Sequence, residues 1–205
     1  MKHVGFTKFL DFTAQTGSAK AASALAAFYQ SGNMQNSRTH YYENLREALI
    51  TAERSGKYTD WEEFIREQKE EAQEATRDAL IKFYKWKSNY ASAAWYEPPK
   101  QIWALQEFDV NINPEIGLIL DGEVHAIKLY LNNKKLSDLK AQAAGLIMEN
   151  MFSEQYPAIK FAILDVKAEK FHVFNGASER LDYLLIGEAA HMSAILSAAK
   201  ERAAA

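Results

Sequence analysis

The chain has 205 residues, with 24 Lys and Arg against 27 Asp and Glu for a net charge of −3, and is 48% hydrophobic and 25% charged, an ordinary globular balance. That length is enough for one sizeable core, and a pI near 6.0 argues against wholesale wrapping of nucleic acid while leaving room for a local basic patch. Having no cysteine, the chain can use neither disulfides nor thiolate catalysis nor cysteine-ligated metal, which suits a cytoplasmic setting.

The opening MKHVGFTKFLDF lacks the long apolar run and small-residue cleavage site of a signal peptide. No stretch approaches a membrane-spanning length, so no membrane partner is expected. Residues 18–30, SAKAASALAAFYQ, are alanine-rich with Leu25, Phe28 and Tyr29 at helical spacing, and Gly32 marks a stop. A polar loop, SGNMQNSRT, leads to a second helix over about 41–54, with Leu45, Leu49 and Ile50 on one face and Gly56 beyond its end. Thr59 with Glu62 has the spacing of a capping box, and one long helix is expected from there to about Ser88. Its first half is charged around a seam of Trp61, Phe64 and Ile65. Residues 1–58 thus read as an N-terminal helical segment added to a core over 59–205.

The end of the long helix interleaves Lys82, Lys85 and Lys87 with Phe83, Tyr84, Trp86, Tyr90, Trp95 and Tyr96. Lysines meet phosphates and rings stack on bases, so Lys82, Lys85, Trp86 and Lys87 are candidate nucleic-acid contacts. The competing reading is an amphipathic helix whose rings pack on a sheet while its lysines stay wet. Pro98 and Pro99 end the helical region.

From Gln101 the pattern changes to strands. QIWALQEFDVNI reads as a first strand, and 115–120 and 123–131 as two more joined by an Asp121-Gly122 hairpin turn. Alternation puts Val124, Ala126, Lys128 and Tyr130 on one face of the last strand, and His125, Ile127 and Leu129 on the other. Lys128 therefore stands in a buried strand, where an unpaired ammonium is costly, and calls for a partner. A helix over about 137–152 follows, with Leu139, Ala143, Leu146, Ile147 and Met151 facing inward. AIKFAILDVKAEKFHVF then reads as strand, turn and strand. Its Asp165-Val166-Lys167 fits a charge pair at a hairpin end better than a catalytic motif. A last helix over about 178–202 is a covering layer or a homo-oligomer contact. The whole is an α+β pattern, a mixed central sheet flanked by helices.

Glu115, with Lys128 thirteen positions later at the far side of a hairpin, resembles the PD-(D/E)XK nuclease superfamily and its restriction-endonuclease-like core. In that family an acid at the end of the second strand and an acid-x-Lys motif on the third hold Mg²⁺ beside the scissile phosphate. The resemblance implies Glu115 as metal ligand and catalytic acid, and Lys128 as the residue that orients water or stabilises charge. Gln142 falls where RecB-like members carry Gln-x-x-x-Tyr, with Leu146 in place of the tyrosine. Ala126 stands where the second acid belongs, which removes a carboxylate from the few that a Mg²⁺ site depends on. The resemblance covers about half of the chain. It implies a catalytically degenerate nuclease-like domain with a nucleic-acid-related or interaction role. The alternatives are an active Mg²⁺-dependent nuclease of DNA or RNA, and an unrelated, non-enzymatic α+β protein in which Glu115 and Lys128 form a structural ion pair.

Other chemistries find little support. The histidines at 3, 40, 125, 172 and 191 show no ligand spacing, no nucleophile elbow occurs, and TGSAK near Gly17 lacks the glycine spacing of a phosphate loop.

Overall fold

A computed structural model describes residues 2–29, 37–57, 59–132, 135–176 and 179–204. The expected loop at 31–39 lies outside the described residues over 31–36, as does the side chain of His40. The elements in chain order are β1 (Lys2–Gly5), α1 (Phe6–Thr13), α2 (Gly17–Tyr29), α3 (Ser37–Ser55), α4 (Trp61–Glu67), α5 (Glu70–Lys87), β2 (Ala93–Trp95), β3 (Gln101–Ala104), β4 (Phe108–Ile112), β5 (Ile116–Leu120), β6 (Glu123–Tyr130), α6 (Asp138–Phe152), β7 (Lys160–Asp165), β8 (Lys170–Val173) and α7 (Glu179–Ala204). The class is α+β, as expected.

The strands form two sheets, one in the order β2-β5-β6-β7-β8 and one in the order β1-β4-β3. In the larger sheet β6 and β7 are parallel, joined across α6, and the other neighbours are antiparallel. The Asp121-Gly122 turn closes β5 onto β6 with φ of 48° and 92°, the paired positive values of a two-residue hairpin turn that asparagine, aspartate and glycine tolerate.

The alternation read along β6 separates two cores. Ala126 and Tyr130 pack with α1, β4, α6 and α7 in one cluster, which includes Phe6, Phe9, Phe108, Met148 and Met192. Ile127 and Leu129 pack with Leu45 and Leu49 of α3, Ile65 of α4 and Leu80, Phe83 and Trp86 of α5 in the other. His125, on this second side, is buried with its ring 5.7 Å from Phe171, and burial holds its imidazole below the ordinary 6.5. A depressed histidine leaves the unfolded chain binding more protons below that pH, so stability falls as pH drops through about 6.5. The slope from one proton is at most about 1.4 kcal/mol per pH unit. Denaturant titrations should show His125→Gln losing less stability than wild type on acidification; equal losses would remove the histidine from the explanation.

Several elements depart from expectation. The first 58 residues supply more than helices, because β1 pairs in parallel with β4 through Lys2 and Phe108 to Gly5 and Asn111. The expected strand from Gln101 is two, β3 and β4, folded back on each other. The expected single helix from Thr59 is also two. Its cap is Asp60, whose carboxylate accepts from Glu63 N at 3.0 Å, and Gln68 at ψ 157° interrupts it. The side chains of Gln68 and Gln73 donate to Phe64 O and Gln68 O, taking up carbonyls that the break leaves without helical partners. On α6, Leu139 is exposed whereas Ala143, Leu146 and Ile147 are buried. Among the described residues no helix is long and apolar enough to cross a membrane.

Candidate functional site

Glu115 stands in the crossover between the two sheets, immediately before β5. The β5–β6 register pairs Ile116 with Ile127, so continuing it by one step sets Glu115 opposite Lys128 and by two sets Pro114 opposite Leu129. The ladder stops there, and the Glu115 side chain takes its place: Oε2 accepts from Leu129 N at 2.8 Å, while Oε1 accepts from Lys128 Nζ. Both side chains are buried, Glu115 at 4% and Lys128 at 5% exposure, so water does not solvate this pair.

A third charge joins them. Arg46 Nε of α3 lies 3.1 Å from Glu115 Oε1, close enough for charge pairing though not aligned as a hydrogen bond. The Phe6 ring closes the other side, 5.5 Å from Lys128 Nζ. Burial pulls the Lys128 ammonium below its ordinary value and Arg46 pulls the same way, with Glu115 opposing both. One carboxylate thus serves two cations and a strand N–H.

Mg²⁺ takes about six oxygens in a near-ideal octahedron. Here the single carboxylate already holds protein donors on both oxygens, two cations crowd it, and Ala126 contributes no oxygen. Among the described residues no group of three His, Asp or Glu gathers elsewhere. The donor set does not fit the metal.

Gln142 is exposed on α6 and lines a different cavity, of about 700 Å³, together with Asp138, Phe171, His172, Phe174 and Asn175. The structure does not bring it to Glu115 and Lys128. Asp165 is buried and accepts from Leu136 N at 3.3 Å and Ala168 N at 3.0 Å, so its carboxylate closes backbone turns. His3, on β1, meets the buried Asp109 of β4.

The lysine-aromatic stretch is rearranged. Trp86 is 4% exposed, packed on Phe83, Tyr90 and Phe171 at 5.0–5.8 Å between ring centres, so its face is closed to a base. Lys82 pairs with Asp78 at 2.9 Å, Lys85 with Glu169 at 2.6 Å and Lys87 with Glu53 at 2.5 Å. What stays accessible is a cavity of about 590 Å³ where Arg54, Lys57 and Lys87 stand among Trp61, Tyr84 and Trp95. Glu53 lies in its wall, and burial raises the Tyr84 hydroxyl above its ordinary value with the Glu53 carboxylate adding to the shift.

Sequence reasoning missed Arg46 and Glu53. Both sit on the margin of the α3 face that buries Leu45, Leu49 and Ala52, seven residues apart. Charges at the edge of an apolar stripe, two turns apart, were the available signal. A comparison of the chain with known proteins finds no match among family models, curated proteins or solved structures.

Proposed function

We propose that the chain is a catalytically degenerate domain of the PD-(D/E)XK kind that acts by binding nucleic acid rather than by cleaving it. The observation that carries this reading is the engagement of Glu115, whose two oxygens are held by Lys128, Arg46 and Leu129 N while Ala126 supplies no second carboxylate. In the active form of such a site the acid holds Mg²⁺ and the lysine faces the attacking water. Here the same two residues neutralise each other, and the lysine cannot serve both roles. The sequence of antiparallel pair β5–β6, crossover helix α6 and parallel strand β7 supports the superfamily side of the reading.

Binding is best supported at the cavity between α3, α4, α5 and β2, since cations meet phosphates and rings stack on bases. Lys57 is exposed there and has no ion-pair partner among the described residues. The test combines two measurements on one preparation. Labelled single- and double-stranded DNA and RNA are incubated with Mg²⁺ or Mn²⁺ to follow cleavage, and titrated with the protein to follow anisotropy. The expected result is no cleavage, with salt-dependent single-strand binding that Lys57→Glu weakens about tenfold, the loss of one phosphate contact and gain of one repulsion. Metal-dependent cleavage lost in Glu115→Gln would replace this reading with that of an active nuclease. Neither cleavage nor binding would leave an unrelated α+β protein.

A further inference from the structure

We propose that the outer face of α7 is a self-association surface on which two copies of the chain pack with their α7 helices antiparallel about a two-fold axis. The inner face of α7 is accounted for, since Leu181, Leu185, Ala189, Met192, Leu196 and Ala199 are buried against the body. The outer face is not. Tyr183 is 72% and Ile186 56% exposed, with Leu184 beside them, so three of the eight exposed large apolar side chains among the described residues fall within four positions. Apolar residues scattered singly over a surface need no explanation, whereas a contiguous group marks a contact.

Gly187 lies in the middle of this face. A Cβ built on it would meet nothing within 4 Å, so nothing in the described chain requires glycine there. Glycine in a helix interior is unfavourable against alanine, and its use is to let another backbone come close.

The charges choose the partner and its direction. α7 begins with Glu179 and Arg180 and ends with Glu201 and Arg202, all exposed. An antiparallel register that sets Gly187 opposite Ala194 also sets Tyr183 opposite Ala198, Arg180 opposite Glu201 and Glu179 opposite Arg202. Tyr183 then meets a small residue, Ile186 meets Ile195, and each of the four charges at the helix ends meets its opposite. In a parallel pair the like charges at equivalent positions would face each other instead. A two-fold antiparallel contact is self-complementary, as an isologous interface must be, and opposes the helix dipoles favourably. The occupant is therefore a second copy of this chain.

This surface is independent of the nucleic-acid reading, and its test is as well. Sedimentation velocity of the full chain over a wide concentration range should show a dimer. Gly187→Arg should shift it to monomer, raising the dissociation constant about tenfold or more, while its melting temperature, compared at a concentration where wild type is also monomeric, stays at or above that of wild type. Reversing one end, with Glu201→Arg and Arg202→Glu, should weaken the dimer several-fold, and adding Glu179→Arg and Arg180→Glu should restore it. A wild-type chain that is monomeric throughout, or a dimer indifferent to Gly187→Arg, would overturn the proposal. Failure of the second reversal to rescue the first would overturn the antiparallel arrangement.

Discussion

Replacing Glu115 with alanine is expected to destabilise the fold by about 3–5 kcal/mol, the cost of leaving buried charge uncompensated. The reason lies in what the carboxylate holds. Lys128 and Arg46 would lose their counter-charge, and Leu129 N would lose the acceptor that stands in for the β5 ladder beyond Ile116. Lys128, buried on β6, cannot escape to water, though Arg46, with a partly exposed side chain, can. Lys128→Met should be far milder, within about 1.5 kcal/mol of wild type, since methionine fills a similar volume and Glu115 keeps Arg46 and the Leu129 N–H. The double variant should therefore recover part of the loss caused by Glu115→Ala alone. Urea unfolding of the two single variants and the double would measure this coupling. A loss below about 1 kcal/mol for Glu115→Ala would show that the cluster does not hold the sheets together.

The same cycle separates structure from catalysis. A lysine retained for chemistry is a burden on stability, and removing it commonly stabilises while activity is lost. A lysine that completes a structural cluster shows a loss or no change, with no activity to lose. The pH dependence gives a second handle. Burial keeps the ammonium of Lys128 below its ordinary 10.5 in the folded chain, so the unfolded chain holds its proton to higher pH. Stability from this group accordingly rises with pH as the window below 10.5 is crossed, and Lys128→Met should flatten that rise.

Much of this site was legible because its determinants are local. The β5–β6 hairpin follows from Asp121-Gly122 between two alternating runs, and the demand for a partner at Lys128 follows from its apolar neighbours on one strand. The helix α6 was legible for the same reason, with Ser137 accepting from Lys140 N as its cap. What was hidden depends on distant pairing. The four residues of β1 become a strand only because β4, more than a hundred positions later, lies beside them. The break at Gln68 was invisible because Ile65, Ala72, Thr76, Leu80 and Phe83 continue one helical stripe across it. For Trp86 the packed, amphipathic reading of the helix is the one the structure bears out, because one turn of helix spreads neighbouring residues over opposite faces and the ring goes inward. The lysines do not stay free, since Lys85 and Lys87 reach acids on other elements.

Gly117→Ala should be as severe as the loss of Glu115, about 3 kcal/mol or more, for a purely steric reason. Gly117 sits in β5 paired with Ala126, and its carbonyl accepts from Tyr96 N at 2.9 Å. The chain from Tyr96 to Pro98 crosses so closely that a Cβ at 117 would lie 2.1 Å from Tyr96 O and 3.1 Å from Pro98 Cδ. Neither is the flexible end of a side chain, so relief requires moving backbone. Two other glycines calibrate the result. Gly122→Ala is strained by its φ of 92° with open space around it, and should cost about 1 kcal/mol, whereas Gly187→Ala should be neutral or stabilising. A Gly117→Ala variant as stable as wild type would show that the Tyr96–Pro98 segment yields readily to a side chain at 117. The consequence reaches the cavity, because the displaced segment carries Trp95, one of its walls, and Glu97, which holds Arg54 at 2.6 Å. Protection of the Tyr96 amide from exchange and binding at the cavity should therefore be lost together. The same crossing bears on position 126: directly paired residues on neighbouring strands project to one face, so any larger side chain at Ala126 would enter the face that this segment closes over Gly117. Small residues at both positions let the chain cross there.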